Sequence, residues 1–291
     1  MKSSTILVSC ATVAALLSFA GNSLLCRLAL RGETIDAASF TGLRLLSGSV
    51  VLVIVAITRA RMRQVPAWGG SWRAAWALVG YAAAFAWAYR YIPAGTGALL
   101  LFGSVQVTMM TWGLVRGERP RWVDWGGLAV ALAGLFVLVA PGLAAPPLGS
   151  AALMGLAGAS WGVYSLLGRR AVDPVAATCG NFVRASLLFG LVAVASWRDW
   201  QVSATGAGLA ILSGAVTSGL GYVIWYAAVR SLTATRAALV QLCVPLLTGW
   251  GGVVLLSETI SPQLVTSAGL ILGGVAMAVF APHPPAVTGP K

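Results

Sequence analysis

Residues 18–29, Ser-Phe-Ala-Gly-Asn-Ser-Leu-Leu-Cys-Arg-Leu-Ala, recur at 160–171 as Ser-Trp-Gly-Val-Tyr-Ser-Leu-Leu-Gly-Arg-Arg-Ala, with six of twelve positions identical. Matched leucines alone carry little weight in an apolar chain. The matched pairs Ser18/Ser160, Ser23/Ser165 and Arg27/Arg169 carry more, because polar residues are scarce here. The echo continues 140 residues apart at Arg44/Arg184, Arg90/Arg230, Thr108/Thr248, Glu118/Glu258 and Gly134/Gly274. Pro141 and Pro282 follow the last apolar stretch of each copy. One unit is used twice, over 1–142 and 148–282, and the Pro-rich remainder 283–291 reads as a disordered tail.

Each unit contains five apolar stretches of about 20 residues, enough to cross a ~30 Å hydrocarbon layer as a helix. They run approximately over 5–30, 35–58, 72–91, 93–115 and 121–140, then 148–168, 174–196, 206–229, 233–256 and 261–281. Charged residues are only 9 % of the chain and apolar residues 58 %, against roughly 25 % charged in a soluble domain. Too little polar surface is left to coat a globule, so the expected fold is an all-α integral membrane protein with ten transmembrane helices. Lys2, the first apolar run and Ser18-Phe-Ala20 imitate a signal peptide. The run continues to Leu30 and has a counterpart in stretch six, so it reads as a retained helix.

Lysine and arginine fix the orientation. With the N-terminus inside, thirteen fall on the cytoplasmic side, and four, Arg27, Arg31, Arg90 and Arg198, fall outside. Both termini are therefore expected in the cytoplasm. Trp68, Trp72, Trp122 and Trp125 fall at the inner interface and Trp197 and Trp200 at the outer, as an aromatic belt. Five is odd, so the second unit enters the membrane from the opposite face. Inverted repeats of this kind place a substrate site near the midplane, where the repeats meet. The expectation is two inverted five-helix repeats around a central cavity, functional as a monomer. The net charge of +12 is spread between apolar stretches and is read as topology-setting, with no nucleic-acid partner.

Several motifs carry no chemistry. Gly158-Ala-Ser160-Trp-Gly162 matches the GxSxG nucleophile elbow, but it lies within a helix and the chain's one histidine, His283, is in the tail. Its glycines instead make a small-xxx-small face for close helix approach. Cys10, Cys26, Cys179 and Cys243 have no metal or CxxC spacing and read as free, small core residues. No metal, cofactor or catalytic set is expected. Arg44 and Arg184 lie well inside helices, where a charge is a functional candidate. Their duplication favours a brace on backbone carbonyls or helix ends, and both readings stay open. Glu33, Asp36, Glu118, Asp124, Asp173, Asp199 and Glu258 all lie at helix ends or in connections. A chain with no carboxylate at a helix centre is poorly suited to cationic substrates or carboxylate-based proton exchange.

The polar and aromatic residues deep in the helices remain to build a substrate site. Phe19 and Trp161 are repeat counterparts, with Asn22 and Tyr164 one turn on. Tyr81, Phe85 and Tyr89 form a stripe at i, i+4, i+8, and Phe102 and Gln106 share a face. The indole N–H of Trp161 needs a partner when buried, and a substrate carboxylate or a cavity water would supply one. Pro245 is expected to kink stretch nine and free the carbonyl of Gln241, giving Gln241 a gate or binding role.

Two inverted five-helix repeats, the stretch Ser-Trp-Gly-Val-Tyr-Ser-Leu-Leu-Gly-Arg at 160–169, Arg44 and Arg184, and Gly117-Glu118 and Ser257-Glu258 resemble the EamA-type branch of the drug/metabolite transporter superfamily. Within it the chain looks most like the YddG-type exporters, bacterial inner-membrane carriers of aromatic amino acids and other neutral metabolites. The first helix departs from that pattern, with Phe19-Ala20 where the motif has Trp-Gly. The resemblance implies a ten-helix basket that exports neutral and aromatic amino acids by alternating access. A neutral amino acid also suits a cavity of rings and amides without ionised groups. An exporter of other neutral hydrophobic metabolites, a passive channel and a lipid-modifying enzyme are the alternatives.

Overall fold

The computed structural model describes residues 2–63, 65, 68–116, 122–140, 145–195, 200–232, 237, 240–241 and 243–280. Pro141, Trp197, Asp199, Glu118 and the tail 283–291 lie outside them. The described residues are helical almost throughout, with one isolated bridge pairing Ile35 and Val202. The first repeat supplies α1 (Lys2–Arg31), α2 (Ala37–Arg63), α3 (Trp72–Tyr89), α4 (Ala94–Val115) and α5 (Trp122–Val139). The second supplies α6 (Leu148–Gly168), α7 (Pro174–Ala195), α8 (Ala204–Val229), α9 (Cys243–Leu256) and α10 (Pro262–Phe280). By length and composition, α1, α2, α4, α6 and α8 are each apolar enough to cross a bilayer.

Helices fit this composition because lipid offers the backbone no hydrogen-bond partners, so each segment must satisfy its own. Their ends are set by a few polar residues. Asp36 accepts from the Ser39 N–H at 2.9 Å and caps α2; Asp173 accepts from Val175 and Ala176 and caps α7. Burial pushes both carboxyls up, but hydrogen bonds outweigh it and hold them below the usual carboxylate range. For Asp36 these come chiefly from Ser39 and Gln201; for Asp173 they come from Ala176 and Arg59, the guanidinium adding its charge. Both groups lie outside the apolar spans.

The two repeats are interleaved rather than laid side by side. α1 packs on α8 and α9, as its counterpart α6 packs on α3 and α4. Equivalent helices also pair, α2 with α7 and α5 with α10. Both pairs run antiparallel. In the first, Gly42 faces Phe189 and Gly48 faces Phe182. In the second, Gly134 abuts Leu270 and Ile271, and Gly274 abuts Gly127 and Ala131. Two copies whose equivalent helices meet antiparallel are related by a two-fold axis across the helices.

The repeat of glycine at 134 and 274 has a physical cause. A Cβ on Gly134 would sit 2.8 Å from the Leu270 Cβ, and one on Gly274 would sit 2.6 Å from the Ala131 nitrogen. Only glycine lets the α5 and α10 backbones approach that closely. Gly158 and Gly162 do the same for α6 against α4, where added Cβ atoms would meet Ser104 at 2.7 Å and Thr108 at 3.0 Å. The cysteines are free, but only Cys26 and Cys179 are buried. Cys10 and Cys243 are exposed on the helix surface, where a small apolar thiol meets lipid as readily as a core.

Candidate functional site

The centre of the molecule is a cluster of rings drawn from both repeats. Trp161 on α6 lies 5.1 Å from Phe19 of α1, 5.1 Å from Tyr81 of α3 and 4.6 Å from Tyr222 of α8. Phe85 continues from Tyr81 at 5.2 Å and meets Tyr89 at 4.7 Å, so the α3 stripe is one surface. On the other flank Tyr164 stacks on Trp161 at 5.5 Å and reaches Tyr226 at 5.0 Å. Trp225 meets Phe19 edge-on at 5.5 Å. Phe19, Ser23, Tyr81, Phe85, Leu101, Phe102 and Trp161 enclose a space of about 10 Å³, room for roughly one water. The central cavity expected from the sequence is closed here, because edge-on, tilted and stacked rings fill it.

Polar groups hold these rings in register. Asn22 donates to the Tyr81 hydroxyl at 3.0 Å and accepts from Ser213 at 2.7 Å. Ser213 opens a π-helical stretch of α8, Ser213–Leu220, which brings Thr217 and Ser218 to 3.4 Å from the same Asn22 oxygen. Widened turns of this kind recur at functional sites. The Trp161 N–H donates to Gln241 Oε1 at 2.8 Å, so its partner is a protein amide rather than a substrate or water. Gln241 in turn donates to the Ala237 carbonyl at 2.8 Å. Pro245 does not kink a continuous helix. Gln241 sits in a turn, α9 starts at Cys243, and Pro245 occupies the first turn, where a missing N–H costs nothing. The Gln241 carbonyl is occupied by the Val244 N–H at 3.0 Å.

Of the residues singled out from sequence, Phe19, Asn22, Tyr81, Phe85, Phe102, Trp161, Tyr164 and Gln241 meet in this cluster. Gln106 makes no hydrogen bond to them among the described residues; it is buried with Oε1 unpartnered. Sequence reasoning missed Tyr222, Trp225 and Tyr226, all at most 1 % exposed. Their i, i+3, i+4 spacing in the counterpart of α3 was the available signal. It also could not decide between a brace and a functional charge for Arg44. Its guanidinium lies among the rings, with Nε donating to Ser218 at 2.9 Å and Nη2 to Tyr222 at 2.7 Å and Tyr81 at 3.2 Å. Arg184 has the contacts of a brace, its Nη1 donating to the carbonyls of Gly69 at 2.7 Å and Gly180 at 2.9 Å.

The two ends of the cluster differ. At one, Arg27 Nε donates to Glu258 Oε1 at 3.1 Å and its Nη1 to the Tyr89 carbonyl at 2.9 Å, while the Ala94 N–H donates to Glu258 Oε2 at 2.8 Å. These contacts tie α1, α3, α4 and the end of α9 together. At the other, a hollow of about 560 Å³ opens among Trp68, Ser71, Arg170, Asp173, Asn181 and Tyr226. Tyr226 links its floor to Tyr164 and so to Trp161. Arg59 spans to Asp173 beside it at 2.6 Å.

The model of the EamA-like transporter family matches residues 6–140 and again residues 149–280. This chain belongs to that family. The two matches are the two repeats. The chain is 50 % identical over 272 residues to "Uncharacterized protein PA1977" of Pseudomonas aeruginosa, covering 94 % of each. It is 25 % identical over 262 residues to "Uncharacterized transporter YwfM" of Bacillus subtilis, covering 88 % of each. A solved structure described as "Crystal structure of protein" superimposes with a TM-score of 0.67 over 92 % of this chain and 97 % of the other. At 19 % identity that likeness speaks for the fold. EamA-like membership makes the chain a multi-pass membrane transporter, and the ring cluster is where its repeats meet.

Proposed function

We propose that this EamA-like chain is an inner-membrane carrier exporting neutral and aromatic amino acids by alternating access. Its ten helices all cross the bilayer as two inverted repeats, both termini lie in the cytoplasm, and the unit acts as a monomer. The observation carrying this reading is the ring cluster, built from both antiparallel repeats with Phe19/Trp161 and Phe85/Trp225 at equivalent positions, sealed at the Glu258 end and approached by a hollow at the Asp173 end. With the orientation from the basic residues, the sealed end faces out and the hollow faces the cytoplasm, so the state is inward-facing. A closed centre between unequal ends favours a carrier over an open channel. Proteoliposomes containing the purified protein, given a panel of labelled amino acids, test it. Saturable uptake with counterflow of aromatic and small neutral amino acids is expected, and failure of the whole panel would remove the amino acid assignment.

Orientation has its own test. In a background lacking the four native cysteines, cysteines at the exposed positions Leu148 and Ile260 should react with an impermeant reagent added outside intact cells. Cysteines at Met62 and Val172, also exposed, should be silent until the membrane is opened. Reversed labelling would remove the orientation and with it the claim of export from the cytoplasm. Energy coupling follows from the helix centres without carboxylates. Uptake should run down a substrate gradient with no imposed pH gradient. An absolute need for a proton gradient would sink that expectation and direct attention to Glu258 and Asp124.

A further inference from the structure

Arg44 carries a charge with no counter-ion among the described residues. It is 1 % exposed, eight residues into α2. Among the described residues the ion pairs are Arg27–Glu258 and Arg59–Asp173, and neither touches it. Arginine stays protonated in proteins, so it cannot escape the cost of burial by losing its proton. Part of that cost is offset by rings, since the guanidinium carbon lies 5.1 Å from the Tyr81 centroid and 5.2 Å from that of Phe85. The rest falls to neutral hydroxyls.

Those hydroxyls are too few. The Tyr81 oxygen is approached by three donors: Asn22 Nδ2 at 3.0 Å, Arg44 Nη2 at 3.2 Å and the Tyr222 hydroxyl at 3.2 Å. A phenol oxygen does not serve three donors well while still carrying its own proton. Nη1 of Arg44, with two N–H groups, is buried and has no acceptor among the described residues. The centre therefore holds a fixed positive charge and a surplus of donors. What it lacks is an anionic acceptor.

The repeat provides an internal comparison. Arg184 occupies the equivalent position, and its Nη1 is satisfied by two backbone carbonyls. The partners of Arg44 in α8, Ser218 and Tyr222, correspond to Leu78 and Ala82 in α3. Only one of the two arginines is surrounded by hydroxyls and left with an open edge. A brace would not need that difference.

We propose that Arg44 is the anion subsite of the ring cluster and takes the carboxylate of the substrate. Tyr81 and Phe85, which cover the guanidinium, are also walls of the central space, so the cation stands directly behind the surface that a bound ring would touch. Substrates are then aromatic or apolar monocarboxylates, amino acids among them, and the free carboxylate is the feature read. The proposal rests on the reading of the cluster as a substrate site.

Binding in detergent, measured by calorimetry on the full chain, separates the two. The probes are indole-3-acetate and indole-3-acetamide, then L-tryptophan and L-tryptophanamide. Each acid should bind at least about tenfold more tightly than its amide, the ratio given by a hydrogen-bonded charge. Arg44→Gln should bring that ratio close to one. Should Arg44→Gln fail to fold, Arg44→Lys keeps the charge, loses the planar fork and should lower the ratio at least about threefold. Equal binding of acid and amide, or an unchanged ratio in the variant that folds, would overturn the subsite. So would chloride binding as tightly as the acids, which would assign Arg44 to a resident inorganic anion. Acid-selective binding without amino acid transport would leave the subsite and remove the carrier assignment; transport of acids and amides alike would do the reverse.

Discussion

Replacing Glu258 by alanine is expected to open the end of the molecule that the proposed orientation places outside. Both its carboxylate oxygens are in use, one on Arg27 and one on the α4 backbone at Ala94. The paired side chains are only 12 % and 9 % exposed. Removing one partner of a fully buried pair costs about 3–5 kcal/mol, because the other charge stays behind unpaired. Residual solvent and the carbonyls of Tyr89 and Arg90 reduce that here, leaving roughly 1.5–3 kcal/mol, the worth of a charge-assisted hydrogen bond. That is about ten- to a hundredfold in the balance between sealed and open ends. The reporter is Ser23→Cys in a background lacking the native cysteines, since Ser23 lines the central space and the change is nearly isosteric. Labelling from outside should be slow with Glu258 present and about ten- to a hundredfold faster in Glu258→Ala. An unchanged rate would mean that these contacts do not hold the end shut. Acceleration only from the cytoplasmic side would instead keep the lock and reverse the orientation.

The packing of α5 on α10 shows why some of the fold was legible and some was not. Gly134 and Gly274 stand out in sequence because a side chain missing at the same place in both repeats is rare by chance, and each lies where the two helices approach most closely. A repeated exception marks a repeated contact. The ring cluster was legible for the same reason on α1, α3 and α6. It was incomplete because the rule was applied to the α3 stripe and not to its counterpart on α8, where Tyr222, Trp225 and Tyr226 carry as much of the surface. Arg44 and Arg184 could not be separated by position alone. What separates them is a neighbour from the other repeat, hydroxyls around one and backbone around the other, and that pairing exists only once the repeats interleave. The π-helical turn of α8 left no trace in Ser-Gly-Ala-Val-Thr-Ser-Gly-Leu. Its widened register goes with Ser213, Thr217 and Ser218 converging on Asn22, a tertiary contact. Pro245 misled for a local reason: the chain had already left the helix at Gln241, so the proline begins a helix instead of bending one.

Truncating Trp161 should damage the centre most among single ring removals, and how it does so identifies the ring's role. Four rings lie within 5.5 Å of it, and each aromatic pair contributes about 0.5–1.5 kcal/mol beyond burial. Its N–H also satisfies the buried Gln241 oxygen, which truncation leaves without a donor at about 1–3 kcal/mol. Part of the effect will therefore appear as lower yield and stability, common to all substrates. Trp161→Phe separates the contributions: it keeps a ring against Phe19, Tyr81 and Tyr222 and removes only the donor to Gln241. If Trp161 is a wall of the substrate site, Trp161→Ala should raise the apparent KM for tryptophan and phenylalanine about two- to tenfold relative to threonine, one lost stacking partner. Trp161→Phe should restore most of that ratio without restoring stability. The measurement is the ratio of initial rates for aromatic and small amino acids, normalised to folded protein, in the three proteins. A ratio unchanged in Trp161→Ala would make Trp161 a packing residue between the repeats. Contact with the substrate ring would then pass to Tyr81 and Phe85, the two rings that also cover Arg44.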